Sequence, residues 1–395
     1  MDKINILFFE SGEGFGGSPK SLLILTKNLN KHAFNPIVLV FHKGPFVEQI
    51  EQLGIKVIQL KFFDVNKNVL YKLVKSFFGK NNMLTLNLKY YLDLFVNGVL
   101  YSFKCASIIK KEQIDIVHLN NGLFENLSAL LAAKVSHKPI VAHVRGTEPL
   151  LFLEKFVCKW VKFYFVQNKR LINLWQGYVP RNRMIKVVNT VDSDLIPKTD
   201  PFSIRKELKI PSNLPIIGFV GRLVEGKGVD CFLKAASKIV NKKPSVKFLI
   251  VGSGPLETGL KDMATELGIS KNVIFTGWRD DIYDITSCFD VLIQPTTTFP
   301  ESFGNTILEA MTLSKPVIAS RVGGSDEIVI NGKTGFIVEP GNVEQLTEKI
   351  IVLLNNKKLA RKMGYNGRKS LEKKYDAKKE SLLYEKIYIK LAKRN

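Results

Sequence analysis

The chain has 395 residues, which is too long for one ordinary hydrophobic core, so two domains are expected. Hydrophobic residues (45%) and charged residues (24%) occur in the proportions of a folded globular protein, which excludes a disordered or fibrous chain. The net charge of +22 favours an anionic partner, which would be phosphate groups, nucleic acid or an anionic membrane surface. The four cysteines are widely scattered without a C-x-x-C pair, so neither a disulfide framework nor a zinc site is indicated and a reducing, cytosolic compartment is expected.

The first half of the chain alternates short apolar segments with helical patterns. Ile, Val and Phe dominate the apolar segments, and turn residues bound them, which is typical of buried parallel strands. Strands are predicted at residues 4–10, 36–41, 56–60, 115–120, 139–144, 163–168 and 185–191. The N-terminal residues contain no basic region followed by a long apolar region and are predicted to form a strand rather than a signal peptide. No stretch approaches about 18 uncharged apolar residues, so no transmembrane helix is expected.

A Pro-rich stretch at 196–215 separates this series from a second one. Further strands are predicted at 215–221, 247–252, 272–277, 290–295, 316–320 and 335–339. Alternating strands and helices imply parallel sheets with right-handed crossovers. We therefore predict an α/β protein of two Rossmann-like doubly wound domains, at 1–195 and 196–370, that face a central cleft and bind ligands beyond the carboxyl ends of their strands. Residues 371–395 are predicted to form a C-terminal helix that packs back on the N-terminal domain.

Residues 62–113 interrupt the alternation with a helical segment rich in aromatic residues and lysines. An amphipathic, cationic and aromatic surface suits contact with an anionic membrane. The alternative is that these aromatic side chains are the inner faces of helices that pack on the sheet.

Two glycine-rich loops each follow a predicted strand and precede a helix. In the loop at 221–228, glycines allow close backbone approach, Arg222 offers a bidentate fork and Lys227 a point charge, a combination suited to a diphosphate. It is not a Walker loop, because Lys227 is followed by Gly228. The loop at 12–18 includes Gly16 and Gly17 and would bring its backbone close to a ligand at a helix N-terminus.

The most specific pattern is the run from Glu301 to Met311. Glu301 precedes a turn, where its carboxylate could accept hydrogen bonds from sugar hydroxyls. Phe303, Gly304 and Asn305 would present backbone N–H groups at a helix N-terminus, where the helix dipole favours a diphosphate. Glu309, two turns into the helix, could accept both hydroxyls of a ribose. Such a site suits a nucleotide-sugar.

His143 lies at the end of a predicted strand, two residues before Arg145, and is either a site residue or a structural histidine. The adjacent Asp280 and Asp281 are predicted to cap a helix rather than to bind a metal. No metal is expected to be required, because Arg222 and Lys227 already supply positive charge.

Five motifs resemble those of the retaining glycosyltransferases of family 4 (glycosyl transferases group 1), which have the GT-B fold. They are GRLVEGKG (221–228), FTGW (275–278), ESFGNTILEAM (301–311), ASRVGGSDEIV (319–329) and NGKTGFIVEPGN (331–342). The resemblance is strong over about 215–345 and weaker over 1–195. One departure is Thr190, where the family usually has glycine.

The resemblance implies a role for each matching residue. Arg222 and Lys227 would bind the donor diphosphate and stabilise the leaving group, and Glu301 would contact the donor sugar. Further donor contacts are implied for Glu309 on the ribose, for Phe303, Gly304 and Asn305 through their backbone, for Gly277 and Trp278 near the nucleobase, for Gly16 and Gly17 beside the phosphates, and for His143 at the 6-position of the sugar.

The implied activity is metal-independent, retaining transfer of a sugar from a UDP- or GDP-sugar to a glycan acceptor, expected to be lipid-linked, in the synthesis of a cell-surface polysaccharide (lipopolysaccharide or capsule) or glycolipid. No cofactor is implied, and the enzyme would be cytoplasmic and peripheral on the inner face of the cell membrane. One alternative is a GT-B relative of another class, such as a nucleotide-sugar epimerase or a phosphorylase. Another is a nucleic-acid-binding protein, although the basic residues are dispersed and match no nucleic-acid module.

Overall fold

The computed structural model divides the chain into two compact units. The first is Met1–Val187 together with Ala377–Asn395, and the second is Val188–Asp376. The residues that the structure describes are 3–10, 16–60, 98–123, 126–146, 152–191, 197–299 and 301–393. Residues 11–15 of the first glycine loop and residues 61–97, most of the predicted insert, lie outside the described residues.

The first unit contains a sheet of seven parallel strands in the order β3-β2-β1-β4-β5-β6-β7. The strands are β1 (Ile4–Glu10), β2 (Phe34–Val40), β3 (Lys56–Gln59), β4 (Ile116–Leu119), β5 (Ile140–Val144), β6 (Phe163–Val166) and β7 (Met184–Lys186). The described helices are α1 (Gly17–Asn28), α2 (Pro45–Gln52), α3 (98–111), α4 (Leu127–Val135), α5 (Phe152–Val157) and α6 (Lys169–Trp175).

The second unit contains a sheet of six parallel strands in the order β10-β9-β8-β11-β12-β13. The strands are β8 (Ile216–Val220), β9 (Lys247–Val251), β10 (Val273–Gly277), β11 (Val291–Gln294), β12 (Val317–Ser320) and β13 (Gly335–Val338). The helices are α7 (Pro201–Glu207), α8 (Val229–Val240), α9 (Glu257–Glu266), α10 (Ile282–Ser287), α11 (Asn305–Thr312), α12 (Ser325–Ile328), α13 (Val343–Asn355) and α14 (Lys357–Lys374). The last helix, α15 (Ala377–Ala392), belongs to the first unit.

Apolar strands form the centre of each unit because parallel sheets of this kind are covered on both faces. In β1, Leu7 and Phe9 belong to one hydrophobic cluster and Ile6 and Phe8 to another, and all four are fully buried. Neighbouring side chains of a strand point to opposite faces, so this alternation places one cluster on each side of the sheet. Helix α15 contributes Tyr388 to the second cluster.

The predicted α/β class with two doubly wound parallel sheets is confirmed, and each predicted strand corresponds to an observed one. The strand predicted at 185–191 ends earlier, at Lys186. The N–H of Val187 donates to the carbonyl of Val166, and the second unit begins at Val188. Residues 371–376, which the sequence assigned to the final helix, belong to the second unit. In the part of the chain that the structure describes, no helix is both long and apolar enough to span a membrane.

Candidate functional site

The loop at 221–228 connects β8 to α8 in the second unit and requires glycine at two positions. Gly226 and Gly228 have φ values of +79° and +74°, in the left-handed region that side chains disfavour. A Cβ on Gly228 would lie 1.8 Å from the carbonyl oxygen of Pro295, and one on Gly226 would lie 2.5 Å from the backbone nitrogen of Phe299. The loop is therefore pressed directly against the segment that follows β11.

Four side chains meet where these two segments touch. Lys227 forms an ion pair with Glu301, and both side chains are largely buried. The Nζ atom of Lys227 lies 4.0 Å from the ring centroid of Phe299, and the guanidinium carbon of Arg222 lies 5.2 Å from the same centroid. The structure thus brings together three predicted site residues, and it adds Phe299, which sequence reasoning missed because an isolated phenylalanine in a Thr-rich loop has no distinguishing pattern.

Gly304 and Asn305 form the N-terminal end of α11. Gly304 is the N-cap residue, with a φ of +95°, and as a glycine it has no side chain with which to cap the first turn. The Asn305 side chain instead accepts a hydrogen bond from Asn189 Nδ2 at 2.7 Å. The side chain of Phe303 is buried against Tyr375, with ring centroids 6.0 Å apart, so this residue anchors the turn and only its backbone could contact a ligand.

The two glutamates of the motif occupy different environments. Glu309 is buried within α11, with 5% of its surface exposed. The backbone of Glu301 packs against Gly323, where a Cβ would lie 1.9 Å from the Glu301 carbonyl oxygen and where φ is +60°. This contact gives a structural reason for one glycine of the ASRVGGSDEIV motif.

Gly277 and Trp278 lie at the carboxyl end of β10. Gly277 has a φ of +70°, its carbonyl accepts a hydrogen bond from the N–H of Gly252 at 2.9 Å, and Trp278 is 60% exposed. Asp281 is the N-cap residue of α10, as predicted, but its side chain makes no capping hydrogen bond. Its carboxylate accepts hydrogen bonds from Arg279, which keep the pKa of Asp281 below its usual value.

In the first unit, Gly16 and Gly17 begin α1 beside a polar cluster at the carboxyl ends of β1 and β4. Gly16 is the N-cap, and Gly17 is the first helical residue. The cluster centres on Glu10, which is 1% exposed and accepts hydrogen bonds from Ser18, Asn120 and Asn121. Sequence reasoning missed Glu10. The signal that could have found Glu10 is its position as the acidic last residue of an otherwise apolar strand, because a buried carboxylate needs hydrogen-bond partners.

Arg145 follows β5 and joins the same cluster. Its Nε donates to the Asn120 carbonyl at 2.7 Å, and its Nη2 donates to Asn120 Oδ1 at 2.9 Å. Burial lowers the pKa of Arg145, while Tyr384 and Glu10 act in the opposite direction. This cluster therefore ties together the carboxyl ends of three neighbouring strands.

His143 lies inside the first unit with partners on both ring nitrogens. Its Nδ1 is 3.2 Å from His118 Nε2, and its Nε2 is 2.8 Å from the hydroxyl of Tyr384. On the other side of the pair, His118 Nδ1 lies 2.6 Å from the hydroxyl of Tyr388. Burial, reinforced by the charge of Arg145, lowers the pKa of His118 to about 3 and that of His143 well below its ordinary value. These contacts favour the structural interpretation of His143; its contact with a sugar stays a prediction.

The described ranges contain no group of three or more His, Cys, Asp or Glu side chains that could hold a metal ion. In the second unit, Arg222 and Lys227 lie against the ring of Phe299, and Lys227 pairs with Glu301, four residues before α11 begins. Such an arrangement can bind an anion, and the adjacent carboxylate can accept hydrogen bonds from hydroxyl groups.

A family model described as Glycosyl transferases group 1 matches residues 201–370. The N-acetyl-alpha-D-glucosaminyl L-malate synthase of Bacillus anthracis is 28% identical over 296 residues, 72% of this chain and 77% of that protein. The capsular polysaccharide biosynthesis glycosyltransferase CapM of Staphylococcus aureus is 37% identical, over 41% of this chain and 42% of its own. A UDP-Gal:alpha-D-GlcNAc-diphosphoundecaprenol alpha-1,3-galactosyltransferase of Escherichia coli is 28% identical, over 64% and 69%.

Solved structures share the whole fold. A glycosyltransferase from Rickettsia africae aligns over 100% of both chains with a TM-score of 0.80 and 22% identity. Anabaena HepE, solved in complex with UDP-glucose, aligns over 97% of this chain and 99% of its own with a TM-score of 0.76 and 20% identity. The fold is therefore GT-B, and residues 201–370 are similar to the glycosyl transferases of group 1.

Proposed function

We propose that the protein is a retaining glycosyltransferase of family 4 that uses a UDP- or GDP-sugar. The observation that carries the proposal is the meeting of Arg222, Lys227 and Glu301 at the segment that leads into the N-terminus of α11. Two cations and a helix N-terminus suit the diphosphate of the donor, and the carboxylate suits the hydroxyls of its sugar. The complex of HepE with UDP-glucose and the relative that uses UDP-Gal support a nucleotide-sugar donor.

In the proposed reaction, the bond between the anomeric carbon and the terminal phosphate oxygen breaks, and negative charge develops on the nucleoside diphosphate. Arg222, Lys227 and the N–H groups of α11 stabilise that charge in the transition state. The acceptor hydroxyl forms the new bond to the anomeric carbon from the same face and gives its proton to the departing phosphate. NMR of the purified product tests this step, because an inverted anomeric configuration would contradict a retaining mechanism.

The ion pair between Lys227 and Glu301 joins the residue proposed to bind the diphosphate to the residue proposed to bind the sugar. When the diphosphate binds, it competes with Glu301 for the ammonium of Lys227, and the carboxylate becomes available to the hydroxyls of the sugar. The role of Glu309 on the ribose is proposed from its position in the motif, about one turn into α11.

Site variants test these assignments. Lys227→Ala is expected to lower kcat/KM for the nucleotide-sugar by about 100-fold or more, the usual loss for one group that stabilises developing charge. Glu309→Gln is expected to lower it by about tenfold or more, because a hydrogen bond to a charged group contributes about 1.5–3 kcal/mol. Lys238→Ala is the matched control, because Lys238 also pairs with a glutamate, Glu344, but on an exposed surface. Wild-type rates in both site variants would show that the assignment is incorrect. Epimerised or phosphate-dependent products from a nucleotide-sugar without acceptor would favour the other GT-B classes.

We also propose that the reaction needs no metal ion, because the two cationic side chains supply the charge that a metal would otherwise provide. Addition of EDTA is expected to leave the transfer rate within about twofold of the untreated rate. A large loss of activity that Mg²⁺ or Mn²⁺ restores would contradict this.

The proposed acceptor is a lipid-linked glycan at the inner face of the cell membrane, in the synthesis of a cell-surface polysaccharide or glycolipid. Support comes from CapM, named for capsular polysaccharide biosynthesis, and from the relative named for a diphosphoundecaprenol-linked acceptor. A cytoplasmic enzyme with such an acceptor would have to reach an anionic membrane surface.

A basic aromatic patch in the first unit supports contact with that surface. Phe156 is 61% exposed and packs edge-on against Trp160, with ring centroids 6.1 Å apart. The Nζ of Lys134 lies 5.7 Å from the Trp160 ring centroid, and the neighbouring residues include exposed Val135 and Lys159. Exposed apolar groups ringed by lysines are typical of an interfacial membrane contact.

Vesicle binding tests the patch. Phe156→Ser is expected to reduce binding to vesicles that contain an anionic lipid by about tenfold, since burial of one aromatic side chain contributes about 1.5–3 kcal/mol. Phe202→Ser is the control, because Phe202 is similarly exposed but lies in the second unit. Equal vesicle binding by both variants would show that the patch does not contact the membrane, and it would leave the proposed sugar transfer unaffected.

A further inference from the structure

The segment that carries Phe299 is hydrogen-bonded to the backbone of the glycine loop. The N–H groups of Thr297 and Phe299 both donate to the carbonyl oxygen of Gly226, at 2.8 and 3.2 Å. The Thr297 hydroxyl also donates to that oxygen, at 3.2 Å. One carbonyl of the loop therefore fixes the backbone from which the Phe299 ring projects.

The ring has two cations within the distance of a cation–π interaction, which extends to about 6 Å from the ring centroid. The ammonium of Lys227 lies nearer, at 4.0 Å, and the guanidinium of Arg222 at 5.2 Å. Two like charges on one short loop repel each other, and the negative face of an aromatic ring offsets part of that repulsion.

The position of the Arg222 side chain depends more on this ring than that of Lys227 does. Among the described residues, Arg222 has no salt bridge and its side chain is exposed, whereas Lys227 is also paired with Glu301. Without the ring, the long Arg222 side chain would sample many rotamers before it met an anion. With the ring, the guanidinium is held against the same aromatic side chain as the ammonium of Lys227 before the anion arrives.

From this geometry we propose that Phe299 is a positioning residue: its ring holds Arg222 and Lys227 together as a preformed site for the diphosphate of the donor. The inference rests on the proposed function and assigns to it a residue outside the family motifs. Phe299 acts through the two cations and touches no reacting atom.

The test compares Phe299→Leu, which keeps an apolar side chain, with Phe299→Tyr, which keeps an aromatic face. Binding of UDP and GDP is measured by calorimetry, and kcat and KM with a nucleotide-sugar. Phe299→Leu is expected to weaken binding of the preferred diphosphate and to lower kcat/KM by about 5- to 30-fold, as expected for loss of one or two cation–π contacts. Phe299→Tyr is expected to stay within about twofold of wild type, because its ring has a similar quadrupole.

Two further variants separate positioning from packing. Pentafluorophenylalanine at position 299 keeps the shape of the ring but reverses its quadrupole, so it is expected to weaken binding as Leu does. In a Lys227→Ala, Arg222→Ala background, Phe299→Leu is expected to cause no further loss, since the cations that it positions are absent. Phe336→Leu is the matched control, because the Phe336 ring also lies under a lysine, Lys349, at 5.4 Å and lies on β13 outside the site.

Wild-type binding in both Phe299→Leu and the pentafluoro variant would overturn the proposal and leave the proposed function intact. An undiminished effect of Phe299→Leu in the background without cations would also overturn it, because it would show a packing role. If wild-type protein bound neither UDP nor GDP and transferred no sugar, the proposed function would fail first, and this inference with it.

Discussion

At Gly228, the absence of a side chain determines how closely two loops approach. The left-handed φ of +74° and the Pro295 carbonyl, 1.8 Å from the place of a Cβ, both require glycine here. This contact presses the Arg222–Lys227 loop against the segment that bears Phe299. The local backbone conformation and the long-range packing thus both require glycine at position 228.

Gly228→Ala is expected to lower the free energy of unfolding by about 3 kcal/mol or more, because the new methyl group forces the loops apart and strains φ. Gly332→Ala is the control, since Gly332 has a φ of +75° but open space around its Cβ, so that only strain of about 1 kcal/mol is expected. Urea unfolding measures both. Equal losses would show that contact with Pro295 contributes nothing.

At the scale of secondary-structure elements, α15 is linked to β4 and β5 through two histidines and two tyrosines. Tyr388 contacts His118, His118 contacts His143, and His143 contacts Tyr384, all in a buried row. Further links come from Glu385, which accepts a hydrogen bond from the N–H of Asn30 at 2.8 Å. A helix from the end of the chain is therefore built into the core of the first unit.

This row predicts a dependence of stability on pH. The folded-state pKa of His118 is about 3 and that of His143 is also lowered, so the unfolded chain binds more protons than the folded one once the pH falls below the unfolded pKa of about 6.5. The free energy of unfolding is therefore not reduced by these two groups above that pH, and it decreases as the pH falls below it. Between pH 7.5 and 5.5 we expect the two groups to remove about 2–3 kcal/mol of unfolding free energy.

Chemical denaturation at the two pH values measures the loss. His118→Gln is expected to remove about half of the pH dependence, while His32→Gln, at an exposed position, is expected to leave it unchanged. Stability that stayed constant across this range in wild-type protein would contradict the buried, neutral state of the pair.

At the scale of the whole molecule, the net charge of +22 acts over distances that depend on salt. Screening shortens from about 10 Å at 0.1 M to about 3 Å at 1 M ionic strength. We expect binding to anionic vesicles to weaken by at least about tenfold between these concentrations, and binding to neutral vesicles to change little. Salt-independent binding would show that apolar insertion alone is responsible.

Much of the fold was predictable because its signals are local. Runs such as 4–10 and 247–252 are apolar and bounded by turns, and both form strands of parallel sheets. The strand predicted to 191 was too long because two more valines, Val188 and Val191, follow after the chain has left the sheet, and a local pattern cannot detect that departure. Asp281 was mistaken for a capping side chain because Arg279, two residues earlier, competes for it.

The sequence by itself determined the doubly wound class, the glycine loops and the association of Arg222, Lys227 and Glu301 with one motif set, because turn residues, apolar periodicity and motif spacing are properties of neighbouring residues. Only the tertiary structure decided that Phe299 lies under both cations, that Glu10 joins Asn120 and Asn121, and that both nitrogens of His143 are occupied. Those contacts join residues far apart in the chain, and the order of strands in the sheet, rather than any local pattern, brings them together.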